Sequence, residues 1–223
     1  HDRWLESAWN QRARFGRVGL DFDRFVAGDA RALADWGRRL RPWIREFGDD
    51  NVDIRPFDSV TDGGGVVRDF VERHLGDDLS PTTDDRVDKN TRAGVKHLVA
   101  VAAVCDGCRS ELGDDFALSR RGAARISEFF RSRPDRHDYT VQRYDSALAL
   151  HRSYCDSDEL LRELSTSFRS AGPFPAPRAD EYRNTVDLAA IDVATFDRDE
   201  RQFVERMIRE TVRATASSGG APG

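Results

Sequence analysis

Lysine is nearly missing from this chain, standing only at positions 89 and 96, so almost every basic residue is arginine. Basic residues are also outnumbered, 35 Lys and Arg against 40 Asp and Glu, for a net charge of −5. That balance argues against nucleic acid as a partner of the whole chain. Cysteine is scarce, three in 223 residues. No disulfide framework can be built from so few, and a chain of this length buries a core without one. No apolar run approaches the roughly eighteen residues that a membrane span needs. No basic, apolar leader opens the sequence, so a cytoplasmic location is the default expectation. His1 is not an initiator methionine, and residues can precede it. Period-2 alternation is absent too, which leaves no strand pair to expect.

What is present is helical spacing. The most apolar stretch runs from Asp88 to Leu112 and ends in Cys105-Asp-Gly-Cys108, the only closely spaced cysteines. At 100° per residue Leu98, Val101, Ala102, Cys105, Cys108 and Leu112 share one face, which marks a buried central helix over about residues 84–112. Thr82 or Thr83 is its expected cap, with Asp84 and Asp85 at its positive end.

The other elements follow from the same spacing. A first helix spans Trp4 to Phe15. From Phe22 two heptad rows run on, Val26, Leu33, Leu40 and Phe47 in one and Phe22, Trp36 and Trp43 in the other, and they predict a core face. Pro42 should kink or restart that helix near Leu40. Residues 48–65 read as a loop whose Gly63-Gly64-Gly65 is a flexible connector before a short helix from Val66 to Leu75. Further helices are expected from Ser119 to Arg131, Asp138 to Cys155 and Asp156 to Phe168.

Gly172-Pro-Phe-Pro-Ala-Pro177 reads as a rigid linker. Beyond it, Asp180 to Ile191 and Arg198 to about Ala214 form an expected hairpin, its second arm opened by the capping box Asp197-x-x-Glu200. The expectation is an all-α bundle of about eight or nine helices. It comprises a core domain over 1–171, the linker at 172–177, a hairpin over 178–215 packed on the core, and a frayed tail over 216–223.

Three constellations could carry chemistry. Cys105 and Cys108, one turn apart, could form a local disulfide, and a nearby cation would make one of them nucleophilic. The pattern Thr91-Arg92…Val99-Ala100-Val101-Ala102…Cys105-Asp106-Gly107-Cys108 resembles the central helix of the alkyl-hydroperoxidase D-like, or carboxymuconolactone decarboxylase, family over about 25 residues. The resemblance implies an all-α protomer with a CxxC redox pair that assembles into trimers or hexamers. Leu112 stands where that family has a relay His, and Ala93 or Gly94 where it has a Glu, so the implied enzyme is a divergent or degenerate thiol oxidoreductase. Glu111 and His97 are the nearest proton carriers in sequence, although eight residues separate His97 from Cys105, more than two turns.

A second set, Cys105, Cys108, His151 and Cys155, offers four ligands of the right kinds for one zinc ion, the only cofactor the sequence suggests. A third, Arg68 with His74, resembles the loose Arg-x(4–6)-His pattern of the helical HEPN ribonucleases. The alternative to all three is a non-catalytic interaction module whose cysteines are small buried residues and whose partner is another protein or a second copy. Whether the chain is an enzyme stays open at this point.

Overall fold

The computed structural model describes residues 2–55, 65–75, 92–171 and 174–218. Helix α1 (Asp2–Ala13) closes where Gly16 takes φ +65°, a conformation that suits a residue without Cβ. Helical turns follow: α2 (Phe22–Phe25), a π turn (Val26–Ala30) and α3 (Arg31–Leu33). Then come α4 (Trp36–Phe47), α5 (Val66–His74), α6 (Val95–Leu112) and α7 (Arg120–Arg131). Finally come α8 (Tyr144–Ser153), α9 (Cys155–Leu164), α10 (Thr166–Ala171) and α11 (Arg198–Ser218). Among the described residues the extended pairing consists of one isolated bridge, Thr140 to Thr185. The protein is all-α, as the spacing predicts. No described helix is long and apolar enough to cross a membrane.

The chain divides into two compact units interleaved in sequence, rather than at residues 171 and 178. One takes the described parts of 32–91 and 148–177, the other those of 2–31, 92–147 and 178–223. In the first, α4 packs on α9, and Ile44, Ile54, Leu161 and Phe168 form the core. A Cβ at Gly37 would collide with the Ser157 backbone, so glycine sets how closely these helices approach. The Phe174 ring packs at a tilt against Phe168 with centroids 5.2 Å apart, which anchors that end of the Pro-rich stretch to this core. In the second unit α6 lies against α1, α7 and α11, and Val101, Val104, Ile126, Phe130, Phe203 and Met207 fill the space between them. Gly107 lets Ile208 of α11 reach the α6 backbone.

Several boundaries differ from the sequence expectation, each for a local reason. The central helix starts at Val95, because Asn10 holds Ala93 N–H and Asp135 caps the next amides, leaving 92–94 extended. The expected caps Thr82 and Thr83 and the helix start at 84–91 lie outside the described residues, as does most of the glycine run at 63–65. Pro42 does not restart α4. The break falls earlier, at Asp35, whose carboxylate accepts Arg38 N–H and opens one continuous helix through Phe47.

The heptad rows hold at Phe22 and Leu40 but fail at their ends, where Trp43 and Phe47 are 58% and 53% exposed. Helix α8 begins at Tyr144 instead of Asp138, since Tyr139, Thr140 and Val141 are drawn into bonds with Ala93 and Glu6. Ser165 splits the expected 156–168 helix, its hydroxyl accepting Phe168 N–H. The first arm of the expected hairpin is two separate 3-10 turns, Ala179–Tyr182 and Leu188–Ala190, and a third, Val193–Thr195, follows it. Asp187 and Asp192 each cap one of them with a side-chain oxygen, and so restart the chain before a helix can propagate. Helix α11 continues to Ser218, beyond the expected end of the hairpin.

Candidate functional site

The CxxC helix is positioned by polar groups around its first turn. Asp135 Oδ1 accepts Lys96 N–H at 2.9 Å and Asp135 Oδ2 accepts His97 N–H at 3.1 Å, a cap delivered from a distant loop. Any Cβ at position 94 would strike that carboxylate, which accounts for Gly94. Beside it, Glu6 is a buried carboxylate that accepts from Thr140 Oγ1 at 3.0 Å and from Val141 N–H at 2.9 Å. Arg92 approaches the same carboxylate at 3.2 Å. Asn10 donates to Tyr139 Oη and accepts from Ala93 N–H, while Tyr139 donates to Ala93 O. Burial, the largest cause, raises the Tyr139 pKa far above the usual phenol value, so this hydroxyl stays a donor.

Lys96 pairs with Glu200 at 2.7 Å, and Glu200 is 1% exposed. Glu200 also accepts Asp197 N–H while Asp197 accepts Glu200 N–H, which completes the capping box that the sequence predicts. This pair ties the start of α6 to the start of α11.

Cys105 and Cys108 are free thiols, 1% and 0% exposed, inside the apolar core. Gly16 packs against the Cys105 sulfur, and Val101 and Leu118 close the same spot. Burial pushes the Cys105 thiol up to about 11 against a smaller opposing pull from Arg109, and burial also raises Cys108. Neither sulfur is set up to ionise at neutral pH.

His97 is 7% exposed and stacks on Phe130 at 6.5 Å, with Nε2 buried and lacking a hydrogen-bond partner. Desolvation first, then the positive charge of Arg14, pushes its pKa down to about 4. Glu111 is exposed at the far end of α6. Among the described residues no hydrogen bond joins His97 or Glu111 to either sulfur.

Of the possible zinc ligands, Cys105 and Cys108 belong to one unit and His151 and Cys155 to the other. Cys155 is exposed and its Sγ lies 3.7 Å from His151 O. No group of three or more His, Cys, Asp or Glu among the described residues is arranged to hold a metal ion. In α5, Arg68 pairs with Glu72 and the His74 ring packs on Phe70 at 5.0 Å, so each side chain is held within its own helix.

The first unit holds what sequence reasoning missed. Trp43 and Phe47 stack at 5.7 Å in solvent, and Val66, Val67 and Phe70 of α5 and Leu75 just beyond it are 52%, 67%, 53% and 53% exposed. Described links from α5 to the chain before it are ionic: Asp69 meets Arg55 at 3.3 Å, and Arg73 meets Asp53 at 3.8 Å. The signal was the brevity of α5, since nine residues carrying an apolar row with no expected partner helix have nowhere to bury it.

No family model, curated protein or solved structure matches this chain. The class therefore rests on the fold itself: an all-α protein with a sealed, cysteine-bearing core in one unit and open apolar helix faces in the other.

Proposed function

We propose that this chain is a non-catalytic helical interaction module, docking a second protein chain, in the first instance another copy of itself, through the apolar faces of α4 and α5. The observation that carries this reading is the exposure of six large apolar side chains, each more than half in solvent. Monomeric proteins seldom keep large apolar patches open, and covering such surface contributes about 25 cal/mol per Å². On α5, Val66, Val67 and Phe70 lie on one side of the helix, where a partner helix could reach all three. Trp43 and Phe47 offer the rigid aromatic area that commonly anchors interfaces. The thiol-oxidoreductase reading asks for a reachable, ionisable sulfur, and both members of the CxxC pair are buried with raised pKa values. Under the proposed reading they are core atoms.

Light scattering across a wide concentration range tests the proposal. The wild type should form a dimer or larger species that dissociates in V67D/F70D, while circular dichroism of the variant stays helical. A wild type that remains monomeric at its highest concentration would overturn the self-docking form. Hydroperoxide turnover that is lost in C105S and C108S would overturn the non-catalytic half.

A further inference from the structure

A cavity of about 820 Å³ opens in the first unit between α4 and the junction of α8 with α9, and none of the six exposed apolar side chains lines it. Arg38, Arg41 and Arg45 line it from positions i, i+3 and i+7 of α4, one stripe of that helix. All three side chains are exposed, and none makes an ion pair, hydrogen bond or ring contact among the described residues. Other arginines, such as Arg92, Arg125, Arg162 and Arg178, have found carboxylates.

The acidic groups nearby divide into two kinds. Asp35 is occupied, since its Oδ1 takes both the Ser157 hydroxyl at 2.6 Å and Arg38 N–H at 2.9 Å. Ser157 Oγ in turn accepts Gly37 N–H at 2.9 Å, so the floor of the cavity is a closed hydrogen-bond chain that fixes α4 against α9. Glu46 and Asp156 make no such bonds; both are exposed and line the cavity with the arginines. Pro42, also in the lining, lacks the N–H that would have bonded the Arg38 carbonyl, which adds one more acceptor.

We propose that this cavity is a binding site for a small phosphate ester that also carries hydroxyl groups, a sugar phosphate or a nucleoside monophosphate. Guanidinium forks match phosphate oxygens in pairs, and three on one stripe can grip a single dianionic group. Glu46 and Asp156 would repel a bare anion. They suit the far end of an ester, where vicinal hydroxyls donate to carboxylate oxygens. Size points the same way, because 820 Å³ falls within the range of small-molecule sites and far exceeds a lone phosphate ion. An extended polyanion fits poorly, since the carboxylates interrupt the basic stripe.

Isothermal titration of the full chain with adenosine monophosphate, ribose 5-phosphate, inorganic phosphate and adenosine tests the site. At least one ester should bind at least about tenfold more tightly than either inorganic phosphate or adenosine. Adenosine monophosphate binding tighter than ribose 5-phosphate would identify the nucleotide, and equal affinities would identify the sugar phosphate as the recognised part. Arg41→Ala and Arg45→Ala should each weaken the ester about tenfold or more. Asp156→Asn should weaken the ester while strengthening inorganic phosphate, a reversal that a merely structural residue would not give. The proposal is overturned if neither ester binds, if inorganic phosphate binds as well as the esters, or if the arginine variants bind like the wild type.

Discussion

In the unit built on α6, Trp9, Leu98, Ile126 and Met207 are almost completely buried, and the polar groups among them are largely matched one to another. In the unit built on α4 and α9, a compact core around Leu161 and Phe168 coexists with Trp43 and Phe47 stacked on each other in solvent. The difference lies in how each unit uses its helices. Helix α6 is apolar nearly all round and is covered by α1, α7 and α11, so its cysteines and His97 are enclosed whatever their chemistry could have been. Helices α4 and α5 each bury less than their apolar residues demand, α5 having no buried residue at all. One unit thus encloses Cys105, Cys108 and His97, and the other leaves large apolar side chains in solvent.

Substitutions that break the enclosed unit should give the largest effects. Glu6→Ala removes the acceptor of Thr140 Oγ1 and Val141 N–H and one of the partners of Arg92, which keeps its contacts with Tyr139. It should destabilise by about 3–5 kcal/mol in a denaturant titration, the scale for breaking a buried pair by removing one partner. Lys96→Met leaves Glu200 buried with only the Asp197 amide, and should cost about 3 kcal/mol on the same scale. At the cysteines, Ser at 105 or 108 places a hydroxyl in an apolar site and should cost about 1–3 kcal/mol, with Ala costing less.

The pH dependence sharpens the same contrast. His97 in the fold has its pKa near 4, pushed down by burial and by Arg14 and His137 against the opposing pull of Asp135. The unfolded chain therefore takes a proton near pH 6.5 that the folded chain refuses. Stability from this group is whole above about pH 6.5 and is lost as pH falls toward about 4, by on the order of 3 kcal/mol. His97→Phe, which keeps a ring against Phe130 and removes the orphaned nitrogen, should flatten the slope of stability between those pH values. The smallest effect belongs to the open unit, where Trp43→Ala should change monomer stability by less than about 1 kcal/mol. A loss comparable to that of Glu6→Ala would mean that this face is core after all.

Much of the fold was legible because helical spacing and capping are local. Ser119 before α7 and the Asp197–Glu200 box before α11 can be read from neighbouring residues, and both form as expected. What could not be read depends on contacts distant in sequence. Asp135 decides where α6 begins from 39 residues away, and Glu6 pulls residues 140 and 141 out of a helix from more than 130 away. The CxxC spacing was equally visible, and the face it shares with Leu98 and Val101 pointed to its burial; what could not be read was the Gly16 backbone that covers Cys105, which sits in a turn with no apolar signature. The arginine stripe on α4 was in plain view at i, i+3 and i+7. Only the packing of α9 beside it makes a cavity there.

The central claim, that the cysteine helix is enclosed structure and not a thiol active site, can be tested by counting thiols that react with an aromatic disulfide reagent in native protein and then in denaturant. Cys155 should react quickly in the native state, and Cys105 and Cys108 only at the rate of unfolding. Native labelling of Cys105 or Cys108 as fast as or faster than Cys155 would contradict it.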